Sequence, residues 1–348
     1  MHLPPIHTWF HPTLSALLTP NIPLNHRVRL LLFQPLVFLI YALNAIPSAL
    51  SRRATTLYIP VRNNRNIRIL LYKPPPFTES DRVASATTPV TLKPLHLDIH
   101  GGGFISGHPE ANHRFCSTLS DRLDTIVIST TYRFAPRYGF PCAIEDVDDV
   151  VDWLVRHAEA ELGADMGKFT VGGSSAGGNL ALATCLRGHV KGRVKGVVTF
   201  YAPINVSIPP TMKPKPPGFP KRDPASFLLP LFDCYGRSAC AQGMAEDPRS
   251  SPYFAPVEQL PEKILMVVPS IDILVAEQLE FAERVNGDCE KLGRPKKVEV
   301  MFMNECFHGW LELPDFAIPK LKNTRPEVFD RCTAFLRAAQ KQLADAEA

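Results

Sequence analysis

VGGSSAGGNLALA, Val171 to Ala183, sets two adjacent serines inside a cluster of four glycines. Glycine loses more backbone entropy on folding than any other residue, so something local must require four of them here. The preceding KFTVGG reads as a strand, and NLALATCL as the start of a helix. A serine on a sharp strand-to-helix turn is the G-x-S-x-G arrangement. Its backbone is strained, and the residues two before and two after must be small because strand and helix crowd together. For Ser175 those neighbours are Gly173 and Gly177; for Ser174 they are Gly172 and Ala176. Ser175 is therefore the expected nucleophile and Ser174 the variable residue before it. A glycine-serine loop without chemistry is the plainer alternative, and the strand before and helix after weigh against it. No Gly-Lys-Ser/Thr follows, which excludes a phosphate-binding P-loop.

A serine hydroxyl needs a base for its proton and donors for the oxyanion that forms. HGGGF, His100 to Phe104, ends the strand-like run LHLDIH. Three consecutive glycines free their N–H groups to point into a cavity, where a bland reading gives only a tight turn. An orienting acid and a base are expected downstream, in that order. Asp272 follows the apolar run KILMVVPS, and His308 follows KKVEVMFMNECF. Both fall where loops converge at the carboxyl edge of a sheet. Singly, Asp272 reads equally as a helix cap and His308 as a packed loop histidine. Jointly they complete a Ser175, Asp272, His308 triad.

Outward from these motifs, apolar runs alternate with helical patterns. TTLYIPV and IRILLY read as two strands joined by the polar turn RNNRN, and TIVISTTYR, VKGVVTFYAP, KILMVVPS and KKVEVMFM as further strands. Residues 143–162, AIEDVDDVVDWLVRHAEAEL, form a helical pattern with acids on the face opposite the apolar residues. PEVFDRCTAFLRAAQKQLAD is an amphipathic terminal helix with Pro326 suited to its first turn. This alternation predicts fold class α/β, a mostly parallel central sheet with helices on both faces. A loop rich in Pro, Ser and Thr runs from Pro74 to about Pro89. From about 205 to 254 the rhythm breaks: the eight prolines from Pro209 to Pro230 cannot lie in a sheet core. That segment reads as an insertion, partly helical around SFLLPLFDCYG, of the kind that forms lids. No internal repeat is visible.

The 348 residues are 45% apolar and 21% charged, an ordinary globular composition. A net charge of +4 is too mild to suggest nucleic acid. The charge is uneven: residues 1–78 hold eight Arg or Lys and no acid before Glu79. The same region carries VRLLLFQPLVFLIYALNAIPSAL, Val28 to Leu50, uncharged from Leu30 to Ser51. That length suffices to cross a bilayer, although Gln34, Pro35, Asn44 and Pro47 weaken a lipid-facing helix. Residues 1–54 are thus read either as an apolar cap or as a membrane-associated segment. Residues 55–345 are read as the catalytic domain. The apolar run starts late and lacks an A-x-A-like site, a poor fit to a secretory signal. Eight scattered cysteines without a C-x-x-C pair indicate reduced core cysteines and an intracellular protein. Asn205-Val206-Ser207 is a sequon of a kind common by chance.

Together the motifs resemble the hormone-sensitive-lipase-like family of α/β-hydrolase esterases. They comprise the HGGG loop, the G-x-S-A-G-G turn, and Tyr132-Arg133-Phe134-Ala135-Pro136 followed by the acidic helix after Phe140. The resemblance covers roughly residues 55–345. It implies the α/β-hydrolase fold and hydrolysis of a small hydrophobic carboxylic ester through an acyl-enzyme, with no metal or organic cofactor. It also implies an oxyanion hole of Gly102, Gly103 and Ala176 N–H groups, with His100, Gly101, Gly173 and Gly177 as supporting motif positions. It favours a cap role for the N-terminus. Phe134 stands where Leu is usual in the family, Ser174 where Asp is frequent and Trp310 where Phe is usual. Two rivals stay open: a non-catalytic ligand-binding protein, which the presence of His308 opposes, and a tailoring enzyme with lyase or cyclisation chemistry, because fold alone does not fix function. The expected partner is a small-molecule ester, with membrane contact through the N-terminal segment as the second reading. Oligomeric state is not legible.

Overall fold

The computed structural model describes residues 6–75, 92–221 and 226–341. Most of the Pro, Ser and Thr-rich loop, Pro224 of the insertion and the end of the expected terminal helix lie outside the described residues.

Eight strands form one sheet in the order β1-β2-β4-β3-β5-β6-β7-β8. They are β1 Ala54–Val61, β2 Arg65–Tyr72, β3 Lys93–Ile99, β4 Ile126–Thr130, β5 Ala164–Ser174, β6 Val194–Phe200, β7 Ile264–Ile271 and β8 Val298–Phe307. All eight expected strands are present. β2 pairs antiparallel with β1 and β4, and the other pairs are parallel. The turn within RNNRN places Asn63 and Asn64 at φ 59° and 53°. Asparagine tolerates this left-handed region better than most residues.

The helices are α1 Ile6–Trp9, α2 His11–Leu18, α3 Leu24–Ser51, α4 His113–Leu123, α5 Cys142–His157, α6 Ala176–Thr184, α7 Leu229–Phe232, α8 Cys234–Ala241, α9 Val275–Lys291 and α10 Thr324–Lys341. Alternate strand residues serve opposite faces. Ile128, Val197 and Met266 pack with α5, α6 and α9 residues such as Val147, Leu180 and Phe281. Val127, Val198 and Leu265 pack with Leu119 of α4 and Phe335 of α10. Burial on both faces explains why the central strands read as continuous apolar runs.

The acids of α5 depart from expectation. Asp146, Asp148 and Asp149 are buried rather than set apart from the packed face. Arg133 and Arg65 hold Asp146, Arg249 and Thr184 hold Asp148, and Arg62 holds Asp149. A buried carboxylate requires such partners. Much of the positive charge between residues 53 and 68 is thereby matched inside the molecule.

The insertion contains short helices and no strand among its described residues. Its start is pinned to α9. The Glu277 carboxylate accepts the Ile204 N–H at 2.9 Å and pairs with buried Lys213, whose Nζ also donates to the Asn205 carbonyl at 2.7 Å. Helix α3 buries Leu30, Phe33, Val37, Tyr41 and Ala45, spaced three and four apart along one stripe. Phe33 meets Phe232 of α7 edge to face, their ring centroids 6.2 Å apart.

Candidate active site

Four parallel strands end at one edge of the sheet, and each carries a motif there: β3 runs into His100, β5 into Ser175, β7 into Asp272 and β8 into His308. Ser175 has φ 50° and ψ −123°. This is a strained backbone for a residue with a Cβ. Its N–H donates to the Phe200 carbonyl at 2.8 Å. A Cβ on Gly177 would stand 2.0 Å from the Ile99 carbonyl oxygen, and one on Gly173 would stand 2.5 Å from Gly177. Strand and helix are in backbone contact here, which is why both flanking positions are glycine.

The turn aims Ser175 Oγ at His308 Nε2, 2.9 Å away. His308 Nδ1 lies 2.7 Å from Asp272 Oδ2, and the other Asp272 oxygen accepts the Leu274 N–H at 3.0 Å. Asp272 is buried while the His308 side chain is about two-fifths exposed. Burial opposes a charged His308, but the charge and hydrogen bond of Asp272 outweigh it, aided by Glu312, and the imidazole pKa is raised.

Ser174 turns the other way. It is buried, and its Oγ donates to Asn112 Oδ1 at 3.3 Å. Asn112 in turn donates to both oxygens of Asp98 at 3.1 Å. Burial pushes the Asp98 carboxyl up to about 7 despite these bonds. The two serines therefore belong to separate networks, one reaching the imidazole and one tying the turn to the core.

The HGGG segment lies against the same turn. A Cβ on Gly101 would meet Ser174 and Ser175 at 3.0 and 3.2 Å. Gly102 and Gly103 have φ 118° and 62°, and the Gly102 carbonyl accepts the Ile105 and Ser106 N–H groups. Ala176 opens α6, where the first N–H groups have no partner within the helix. The hydrogen bonds of the His100 ring go to neither Ser175 nor His308. It is fully buried, bonds the Gly101 carbonyl and Thr131 Oγ1, and stacks on Tyr132. Burial drives its pKa down to about 3, which keeps it a neutral brace for the loop.

Three neighbours escape a reading of the sequence. Tyr201, after β6, sets its ring 5.0 Å from that of His308, and its hydroxyl donates to Glu312. Glu312, four residues past His308, was within reach of a local scan. Tyr41 of α3 grips the far end of the HGGG segment: its hydroxyl donates to the Gly107 carbonyl at 2.6 Å and accepts the Gly107 N–H at 3.0 Å. Gly107 sits so tightly on Gly101 that a Cβ would stand 2.2 Å from the Gly101 oxygen.

A family model described as the alpha/beta hydrolase fold matches residues 96–312. The chain belongs to this family of α/β-hydrolases, in the hormone-sensitive-lipase-like branch its motifs imply. It is similar to the esterase LipI of Mycobacterium tuberculosis, 37% identical over 99 residues, which are 28% of this chain and 31% of that one. Arylacetamide deacetylase of Oryctolagus cuniculus is 45% identical over 100 residues, 27% of this chain and 24% of that one. The match spans about a third or less of these relatives' lengths. Among solved structures, a hyperthermophilic esterase of Pyrobaculum calidifontis superposes with a TM-score of 0.67 at 25% identity, covering 97% of this chain and 99% of that one. EstE1, a thermophilic carboxylesterase cloned from a metagenomic library, gives 0.66 at 25% identity, over 87% and 97%.

Proposed function

We propose that this chain is a serine hydrolase that cleaves carboxylic esters of small hydrophobic molecules. The observation that carries the reading is the unbroken line from Ser175 Oγ through His308 to buried Asp272. His308 takes the Ser175 proton as Oγ attacks the ester carbonyl, and Asp272 orients and stabilises the imidazolium. The N–H groups of Gly102, Gly103 and Ala176 receive the oxyanion. The alcohol leaves with the proton from His308, and a water activated by the same imidazole releases the acid. Relatives named as esterases support this reading over lyase chemistry or ligand binding.

Residues 1–54 and the insertion at about 205–254 act as a cap over the catalytic domain, 55–345. Support comes from Phe232, which a Cβ on Gly103 would meet at 2.4 Å. An apolar cap beside the oxyanion loop favours an uncharged ester. The cysteines are free, with Cys116, Cys185, Cys289, Cys306 and Cys332 buried, which supports a reducing, intracellular setting. The exposed apolar side of α3 supports membrane contact through the N-terminal segment.

Hydrolysis of nitrophenyl esters of increasing chain length tests the central reading. Ser175→Ala is expected to lose about five orders of magnitude or more in kcat, and Ser174→Ala less than about tenfold. Folded wild type that neither turns over any ester nor is labelled at Ser175 by a fluorophosphonate would overturn it.

A further inference from the structure

Helix α3 is apolar on both sides. Opposite the buried stripe, Val28, Leu31, Leu32, Phe38, Leu39 and Ile46 are exposed, Leu32 by 63% and Leu39 by 54%. A helix lying on a soluble protein ordinarily turns polar residues outward. Here no charge interrupts Leu30 to Ser51. The uncharged part of the helix makes a ridge about 33 Å long at 1.5 Å per residue. A continuous exposed apolar surface of that size marks an interaction site.

The polar residues that weaken a lipid-facing helix do not face outward unpaired. Gln34 accepts the Thr13 N–H and hydroxyl and donates to the Trp9 carbonyl. Asn44 donates to the Ile40 carbonyl one turn back. Only Pro35 and Pro47 remain exposed within the outer surface. Along the chain the charge flanking the ridge has one sign, and the acids that approach it in space, Asp233 beside His26 and Asp121 beyond the helix end, are paired with Arg237 and Arg53. Arg27 and Arg29 stand at its start and Arg52 just past its end, and no acid occurs in the first 78 residues. Arg27 spends its guanidinium on the Ala16 and Thr19 carbonyls, so it adds field rather than a counter-ion.

The inner stripe fixes the orientation. Spanning a bilayer would pull Leu30, Phe33 and Val37 off the enzyme and break both Tyr41 bonds to Gly107. Pro35 points the same way. Lacking an N–H, it leaves the Leu31 carbonyl without its helical donor. Hydrocarbon offers that oxygen nothing, whereas the wet headgroup layer does. We propose that the outer face of α3 is a docking surface for an anionic lipid bilayer, with the helix lying in the plane of the interface. The inference rests on the membrane-contact reading of the N-terminal segment, to which it adds orientation and lipid charge, and stands apart from the esterase reading.

Flotation of the purified full chain with phosphatidylcholine vesicles, with and without phosphatidylserine, tests it. The wild type is expected to float with the anionic vesicles, to be released by high salt, and to be stripped by alkaline carbonate. Leu32→Glu combined with Leu39→Glu is expected to cut the bound fraction by about tenfold or more, with an unchanged melting temperature because both side chains face solvent. Absence of flotation with either vesicle overturns the proposal. Equal, salt-insensitive binding to neutral vesicles overturns the anionic preference, and resistance to carbonate overturns the in-plane orientation. A dimer that the double substitution dissolves, in protein that ignores vesicles, assigns the face to a second copy instead.

Discussion

Ser175 reaches His308 because its backbone is held in a conformation that a side chain ordinarily avoids, and in the proposed mechanism Asp272 sets the pH at which the imidazole can accept its proton. With its pKa raised, His308 becomes protonated as pH falls through a value above its ordinary 6.5. The Ser175 proton then has no acceptor. The value of kcat/KM on a nitrophenyl ester should therefore decline on the acid side with a midpoint above 6.5. Asp272→Asn should shift that midpoint down and lower kcat by about four orders of magnitude. Stability has the opposite sign. The folded state holds the His308 proton more tightly than the unfolded chain, so this contribution is full below about 6.5 and is lost as pH rises through the folded value.

At the scale of elements, the sheet was legible because burial on both faces writes each central strand as a short apolar run. The strand-turn-helix around Ser175 was legible because the crowding it requires leaves glycine as the residue that fits; Gly177→Ala should destabilise the fold by about 3 kcal/mol or more in urea unfolding, since the new methyl meets the Ile99 backbone. Helix α4 was not legible. HRFCSTLSDRL buries only Phe115, Cys116, Leu119 and Ser120, too short a stripe to stand out from a polar loop. The partnership of Tyr41 with Gly107 was hidden for another reason: the residues are 66 positions apart, and only the fold brings them together. Tyr41→Phe leaves both polar groups of Gly107 without this partner. It should lower kcat by about ten- to a hundredfold with KM little changed, because a loop displaced by a fraction of an ångström still admits substrate but misses the oxyanion. A purely structural tyrosine would lower the melting temperature and leave kcat of the folded protein unchanged.

Across the whole molecule, buried ion pairs hold the additions to the sheet. Arg65 and Arg133 share Asp146, joining the antiparallel edge to α5, and Lys213 with Glu277 fastens the insertion to α9. Glu277→Ala strands the Lys213 ammonium and two backbone N–H groups, and should cost about 3–5 kcal/mol in urea unfolding. None of this pairing could be read from charge counts, which recorded only a cationic first quarter of the chain. The stretch that matches the family model begins at residue 96, and Tyr41 lies well before it. A chain trimmed to that stretch would keep Ser175, Asp272 and His308 and lose a grip on the loop beside them. The two sides of α3 thus answer to different masters. Under the proposed membrane and esterase readings, rewriting Leu32 or Leu39 should change where the protein is kept, while rewriting Tyr41 should change how well it cuts, so address and chemistry could be retuned separately on one helix.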